Sequence, residues 1–276
     1  MELRSQGRQL LFSTIRIETT AIDGTPVGSG TSFVFRDPDS VSGHDLFLVS
    51  NKHVIKYGWN AYLFFTKQSE DGKPILGEPF TVHMEGFEVQ WCGHPDDNVD
   101  VAVMPLSWQL DSIAKDYYRA FLRPVTVDDL ATDDDFLKLD LASPVLFVGY
   151  PNGMFDQKHY TPIVRQGNVA TLAELDFNGE PIFLIDASVF PGSSGSPVFS
   201  YEHSWDGDIA RVKLLGLISA VFTQRTDGTI EWIPAPTNVV PIPSVRQMID
   251  LGVVFKARLI RETIAHFWSK NREKMR

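Results

Sequence analysis

Short apolar runs separated by turn residues occupy most of the first 240 positions of the chain. Residues 13–19 alternate apolar and polar side chains with a period of two, which predicts a half-buried strand. The apolar run at 45–50 predicts a buried strand. Further strands are expected at 28–35, 61–65, 80–83, 99–104, 145–149, 168–172, 182–186, 197–200 and 214–222. Many short strands joined by Gly, Pro and Asp turns favour an all-β sandwich or barrel over βαβ units.

The pattern changes after about Pro243, where the apolar positions adopt a helical period. Ser244 is a suitable N-cap for a helix over residues 245–251, and Gly252 is a suitable stop. A second helix is expected to follow, with one apolar face formed by Phe255, Leu259, Thr263, Ile264, Phe267 and Trp268. The aspartate-rich residues 111–135 predict a solvated linker or helix face between two halves of the fold.

Composition and charge exclude several classes of protein. The 276 residues carry a formal net charge of −10, and phosphate binding needs a basic surface, so nucleic acid is not an expected partner. The apolar stretch near the N-terminus is too short for a secretory signal, and no apolar run approaches membrane-spanning length. The single cysteine, Cys92, excludes an internal disulfide and fits a reducing compartment, so we expect a spare, half-buried thiol. We therefore expect a soluble cytoplasmic protein without a membrane partner, a metal or a cofactor.

The loop at residues 190–198, with the sequence FPGSSGSPV, carries the most informative chemistry. Gly192 and Gly195 allow the main chain to fold back so that its N–H groups converge on a developing oxyanion. A serine in such a loop becomes a nucleophile only when a general base is within reach. Considered alone, the loop fits a plain Gly/Ser turn between two strands equally well.

A base and a carboxylate are therefore the next requirement. Among seven histidines, His53 directly follows the buried strand, and a strand end fixes a side chain more firmly than a loop does. Asp100 directly precedes an apolar strand, so its carboxylate is expected to lie toward the interior and to need a partner. An imidazole N–H is a suitable partner, and Asp97 is the alternative carboxylate.

The order His53, Asp100, Ser194, with the residues around each, resembles the chymotrypsin-like serine proteases. The similarity is greatest to HtrA-type proteases and their small bacterial trypsin-like relatives. The matching segments lie between about residue 12 and residue 250, at 28–33, 48–54, 100–103, 145–153, 186–197 and 216–221. The resemblance implies an all-β fold of two antiparallel six-stranded β-barrels with the active site between them, plus a C-terminal helix. The expected units are an N-terminal barrel over 1–115, a C-terminal barrel over 116–243 and a helical extension over 244–276, without a PDZ domain.

The resemblance also implies a role for each site residue. Ser194 is expected to attack the scissile carbonyl, His53 to carry the proton, and Asp100 to orient His53 and stabilise its cation. The backbone N–H groups of Gly192 and Ser194 are expected to form the oxyanion hole. Ser219 is expected to donate a hydrogen bond toward Asp100.

Two serines depart from the family pattern beside the nucleophile. Ser193 stands where digestive members carry the aspartate that pairs with a newly cleaved N-terminus, so we expect no activation by N-terminal cleavage. Ser196 replaces a glycine, and its side chain is expected to crowd the loop. Control by a regulatory protein partner or a conformational trigger, acting through residues 254–276, is the resulting hypothesis.

The expected substrate is a protein or peptide bound in a pocket that lacks an acidic base. Ser188 stands at the pocket base and Val221 at its mouth, while Phe190, Ser219 and Ala220 complete the expected substrate-binding residues. We predict cleavage after small or medium aliphatic residues such as Val, Ala, Leu or Thr.

Two other functions fit parts of the sequence. A catalytically idle protease fold would capture extended peptides by strand addition. An esterase is disfavoured because the strand–turn–helix nucleophile elbow is absent.

Overall fold

The fold is given by a computed structural model, which describes residues 3, 5–38, 45–106, 120–227 and 244–271. Two expectations fall outside these ranges. They are the boundary between the two units at residues 115 and 116, and the part of the aspartate-rich segment that precedes residue 120. Helical segments are few and mostly single turns: α1 (Gln6–Gln9), α2 (Lys52–Ile55), α3 (Asp133–Leu137) and α4 (Arg258–Asn271). Turns of 3-10 helix lie at Leu10–Phe12, Glu88–Gln90, Val127–Asp129, Pro151–Gly153 and Phe177–Gly179. In the described part of the chain, no helix is long and apolar enough to cross a membrane.

The N-terminal half forms an eight-stranded, mostly antiparallel sheet. Its strands are β1 (Thr14–Thr20), β2 (Pro26–Arg36), β3 (Leu46–Ser50), β4 (Asn60–Gln68), β5 (Pro74–Glu85), β6 (Cys92–Gly93), β7 (Ala102–Pro105) and β8 (Val125–Thr126). Their order is β5-β4-β1-β2-β3-β7-β6, and β8 pairs with β2 in parallel. The first unit therefore has two short strands more than the six expected, and no pairing joins its outer strands within the described residues.

The C-terminal half forms a closed barrel of six antiparallel strands, as expected. The strands are β9 (Pro144–Gly149), β10 (Ile163–Val169), β11 (Ile182–Asp186), β12 (Pro197–His203), β13 (Ile209–Asp227) and β14 (Ser244–Lys256). Their order around the barrel is β10-β11-β14-β13-β12-β9. The loop between β11 and β12 contains the candidate nucleophile.

The helix predicted over residues 245–251 is wrong, because these residues belong to β14. β14 pairs with β11 on one side and β13 on the other, and this pairing closes the barrel. The second barrel therefore continues past the expected boundary at residue 243. The apolar positions of this segment fit either period, and long-range strand pairing overrides the local preference.

The second predicted helix is observed as α4, and it packs against residues that are distant from it in the sequence. Its buried residues share one core cluster with residues of the N-terminal sheet, including Phe47. The Phe47 ring lies edge-on to both Phe267 and Trp268, with each centroid 5.9 Å away. Phe255, expected on the helix face, lies on β14 instead.

Candidate active site

His53 lies on the single helical turn α2, which begins directly after the buried strand β3. Ser50, the last residue of β3, is buried and donates its hydroxyl to the Thr31 carbonyl at 2.8 Å. This bond joins the end of β3 to β2, so the turn that carries His53 starts from a fixed point. The imidazole is 49% exposed, which leaves one edge of the ring open to a substrate.

Asp100 holds His53 through both of its carboxylate oxygens. Nδ1 of the imidazole lies 2.6 Å from Oδ2, and the backbone N–H of His53 donates to Oδ1 at 3.1 Å. Because an ionised carboxylate only accepts hydrogen bonds, Nδ1 carries the proton in the neutral ring. Nε2 is then left with its lone pair, which is the tautomer that a general base requires.

The carboxylate of Asp100 is itself well supported. The Ser219 hydroxyl donates to Oδ2 at 2.5 Å, as expected, and the Asn51 side-chain amide donates to the Asp100 carbonyl at 2.6 Å. Burial alone would raise the pKa of this carboxyl, but the hydrogen bonds from His53 and Ser219 and the charge of His53 lower it below the ordinary 3.8. Asp100 is therefore ionised at neutral pH. Asp97, the alternative carboxylate, is exposed and forms no hydrogen bond or ion pair with His53.

Ser194 lies in a tight loop that is fastened to both halves of the fold. Its carbonyl accepts a hydrogen bond from the Thr31 N–H at 3.0 Å, and the next N–H, that of Gly195, donates to the Ile218 carbonyl at 2.8 Å. Gly195 has a φ of +84°, and a Cβ on it would lie 1.9 Å from the Thr31 carbonyl oxygen. Only glycine fits this close approach between β2 and the loop.

Ser219 links the candidate nucleophile to the other two residues. The Ser194 hydroxyl donates to the Ser219 carbonyl at 3.2 Å, while the Ser219 hydroxyl binds Asp100. No hydrogen bond joins Ser194 to His53 in this resting arrangement. Such contacts are often absent until substrate binds, and a change in the Ser194 rotamer redirects its hydroxyl.

The N–H groups expected to form the oxyanion hole are free of intramolecular acceptors. Within the described residues, neither Gly192 nor Ser194 donates its backbone N–H to a protein atom. The Gly192 carbonyl accepts the Thr31 hydroxyl at 3.0 Å, which helps to set the orientation of the loop. Two uncommitted N–H groups beside a serine hydroxyl are the chemical requirement for stabilising an oxyanion.

Comparison with known proteins agrees with this geometry. A family model described as a trypsin-like peptidase domain matches residues 30–206, well over half of the chain, and this range includes His53, Asp100 and Ser194. The chain belongs to the trypsin-like peptidase family. No curated protein matches the sequence.

One solved protease structure supports the same fold. A variant of the HtrA-type protease AlgW with a tripeptide has a TM-score of 0.52 at 15% identity, over 96% of this chain. This chain spans only 63% of the AlgW chain. The active form of the Rv3671c protease from M. tuberculosis has a TM-score of 0.47 at 18% identity, over 93% of this chain and 81% of its own. At this identity the AlgW match establishes the fold and nothing finer.

Two serines that depart from the trypsin-like pattern are both buried. The Ser193 hydroxyl has no hydrogen-bond partner in the structure. The Ser196 side chain fits the loop because it fills the space beside Gly149, and its hydroxyl donates to the Thr31 hydroxyl at 3.3 Å. The crowding expected from Ser196 is thus avoided, because the neighbouring residue, Gly149, has no side chain.

The residues expected to bind substrate differ in their exposure. Ser188 and Val221 are half-buried, Ser219 is buried, and Ala220 and Phe190 are exposed. Arg165 was not anticipated from the sequence, and its guanidinium carbon lies 4.9 Å from the centroid of the Phe190 ring.

Other residues that support the site were also not anticipated. Thr31 contacts the nucleophile loop through its N–H and its hydroxyl, and Asn51 fixes the main chain at Asp100. A threonine inside a glycine-rich strand and an asparagine before a histidine carry no distinctive sequence signal.

Cys92 is half-buried, and burial raises the pKa of its thiol against the opposing charges of Lys270 and Lys52, which makes it a poor nucleophile. Among the described residues, no cluster of three or more His, Cys, Asp or Glu is suited to a metal ion.

Proposed function

We propose that this trypsin-like peptidase is a serine endopeptidase that cleaves peptide bonds through Ser194, His53 and Asp100. The observation that carries the proposal is the network in which Ser219 contacts both Asp100 and Ser194, and Asp100 binds His53. A serine, an imidazole with a free Nε2 and an ionised carboxylate are the groups that acyl transfer requires.

The reaction proceeds in two halves. As the Ser194 oxygen attacks the scissile carbonyl, its proton moves to Nε2 of His53, and Asp100 stabilises the resulting imidazolium. The tetrahedral oxyanion accepts hydrogen bonds from the N–H groups of Gly192 and Ser194. The imidazolium then protonates the leaving amine, so an acyl-enzyme remains on Ser194. A water molecule, deprotonated by His53, attacks the ester carbon and releases the carboxylic acid, with the proton returned to Ser194.

We further propose cleavage after small or medium aliphatic residues. The residue at the expected pocket base is Ser188, and a hydroxymethyl group offers no charge to recognise Lys or Arg. At the expected entrance, Val221 has an apolar side chain, which also packs against the core of the C-terminal barrel, and Phe190 is an exposed aromatic residue. A protein substrate in the cytoplasm fits the single cysteine.

Control without zymogen cleavage belongs to the same proposal. The Ser193 hydroxyl is neutral and cannot form an ion pair with a new N-terminus. Addition of an uncleavable extension to the N-terminus should therefore leave activity unchanged, and an inactive extended protein would contradict this. Regulation by a partner protein or a conformational trigger is the remaining hypothesis.

The test is cleavage of a peptide library, analysed by mass spectrometry for new termini. Wild type is expected to cut mainly after Val, Ala, Leu or Thr, and Ser194→Ala is expected to leave the library intact. Cleavage mainly after Arg or Lys would overturn the specificity. Equal cleavage by Ser194→Ala would overturn the mechanism, and a wild type that binds extended peptides without cutting them would favour the idle binder.

A further inference from the structure

The C-terminal helix α4 packs against β6 and β7, the two strands that flank the loop with the candidate catalytic carboxylate. Asp100 is flanked in sequence by Val99 and Val101, which are both buried. These two valines belong to the same core cluster as the buried face of α4, which includes Ile264 and Phe267. The helix therefore supports the Asp100 loop although more than 150 residues separate them in the chain.

A polar contact joins the helix to the same loop. His94, at the start of the loop, has a side chain only 7% exposed, and its Nε2 lies 3.2 Å from Oε2 of Glu262 on α4. Its Nδ1 accepts the backbone N–H of Asp96 at 3.1 Å. Because Nδ1 is an acceptor, Nε2 carries the proton and donates it to the Glu262 carboxylate. The imidazole thus bridges the helix and the loop.

Further hydrogen bonds extend from His94 to Asp100. The backbone N–H of His94 donates to the Val101 carbonyl at 2.9 Å, which closes the loop just beyond Asp100. Within the loop, the Asp96 carbonyl accepts the Val99 N–H at 3.2 Å and the Lys52 ammonium at 2.8 Å. Lys52 is the residue before His53, so both sides of the His53–Asp100 pair depend on the conformation of residues 94–101.

We propose that Glu262 is a positioning residue for Asp100. It fixes the ring of His94, His94 fixes the main chain of the loop at Asp96 and Val101, and the loop holds the Asp100 carboxylate against His53. Glu262 is 51% exposed and has no hydrogen bond with His53 or Ser194, so the proposed effect is transmitted through the loop. The kinetic part of this inference rests on the proposed peptidase function, while the geometric part does not.

The test compares Glu262→Ala, Glu262→Gln and, as a control at an exposed position of the same helix, Ala265→Ser. Glu262→Ala is expected to lower kcat about tenfold with KM unchanged, because a small misplacement of a catalytic group has a large effect on rate. Glu262→Gln keeps an oxygen that accepts the His94 N–H, so it should restore most of kcat. Ala265→Ser should behave as wild type, and urea midpoints measured on all proteins separate positioning from unfolding.

A spectroscopic measurement tests the geometry without any substrate. The short bond between Nδ1 of His53 and Asp100 should give a low-field proton resonance in the NMR spectrum, lost in His53→Ala. Glu262→Ala is expected to broaden or displace this resonance, and Glu262→Gln and Ala265→Ser to preserve it. An unchanged resonance in Glu262→Ala, or a Glu262→Gln protein as impaired as Glu262→Ala, would overturn the proposal. If wild type cleaved no peptide, the proposed function would fail, and the NMR comparison would still decide the role of Glu262.

Discussion

Gly149, at the end of β9, is predicted to be intolerant of any side chain. A Cβ on this residue would lie 2.0 Å from the Ser196 hydroxyl oxygen and 2.7 Å from the Thr31 hydroxyl oxygen. It would also lie 3.2 Å from the Ser196 Cβ, so rotation of the Ser196 hydroxyl alone does not make room. Gly149→Ala therefore forces two buried residues, Thr31 and Ser196, to move.

The expected loss of stability follows from overpacking in a closed core. Insertion of a methyl group where neighbours cannot retreat costs about 1–3 kcal/mol, and the 2.0 Å approach favours the upper part of that range. The disturbance should also reach the candidate site, because the Thr31 hydroxyl binds the Gly192 carbonyl. We therefore expect Gly149→Ala to lower both the urea midpoint and the rate at which a fluorophosphonate labels Ser194.

A second substitution separates this account from a general intolerance of β9. Ser196→Gly removes both contacts with Ser196 and leaves only the Thr31 contact, so Gly149→Ala/Ser196→Gly should recover about 1 kcal/mol relative to additive losses. Gly28→Ala is the matched control, since the nearest atom to its Cβ would be 4.0 Å away, and its stability should change by less than about 0.5 kcal/mol. A Gly149→Ala protein as stable as wild type, or additive losses in the double variant, would refute the reasoning.

Three further predictions concern hydrogen-bonded or ion-paired polar groups. Ser219→Ala removes a hydrogen bond that lowers the pKa of Asp100, so kcat/KM for peptide cleavage should fall about tenfold. An unchanged kcat/KM would contradict a supporting role for Ser219. Lys256→Met should lower the free energy of unfolding in urea by about 1–2 kcal/mol. The ammonium, only 2% exposed, binds Asp176 at 2.7 Å and the carbonyls of residues 174–175, while Asp176 keeps Arg258 as a partner. An unchanged free energy of unfolding would contradict this. Burial raises the pKa of Asp176, but its cationic partners Lys256 and Arg258 lower that pKa below 3.8. The stability that ionised Asp176 contributes is therefore present above its unfolded pKa and is lost as the pH falls through its folded pKa. Wild type should lose more stability than Lys256→Met between pH 5 and pH 3.

The local periodicity of the sequence was enough to predict most strands of both units. Short alternating or continuous apolar runs bounded by turns leave few alternatives, and β1, β3, β9 and β11 are observed at or within two residues of their expected positions. The two-residue strands β6 and β8 were not predicted, and β10 lies at Ile163–Val169 rather than at 168–172. The segment of β14 was predicted as a helix, because its apolar spacing is compatible with one. Its conformation is decided by pairing with β11 and β13, which lie far away in the sequence.

The candidate site was predictable where a residue type has few roles. A histidine at a strand end, an aspartate at the start of an apolar strand and a serine between glycines each have a limited range of chemistry. Thr31 was not predictable, because its importance comes from two hydrogen bonds to a loop more than 160 residues away. Glu262 was not predictable for the same reason, since its partner His94 is found only when α4 folds back on the N-terminal sheet.

We propose that Ser194 is a nucleophile activated by His53 and Asp100, and the intact mass of the protein after reaction with a fluorophosphonate tests this. We expect one adduct per wild-type chain, located on Ser194 by peptide mapping. Ser194→Ala should carry no adduct, and His53→Ala should be labelled much more slowly. Folded wild-type protein that takes up no label, or an adduct that persists in Ser194→Ala, would contradict it.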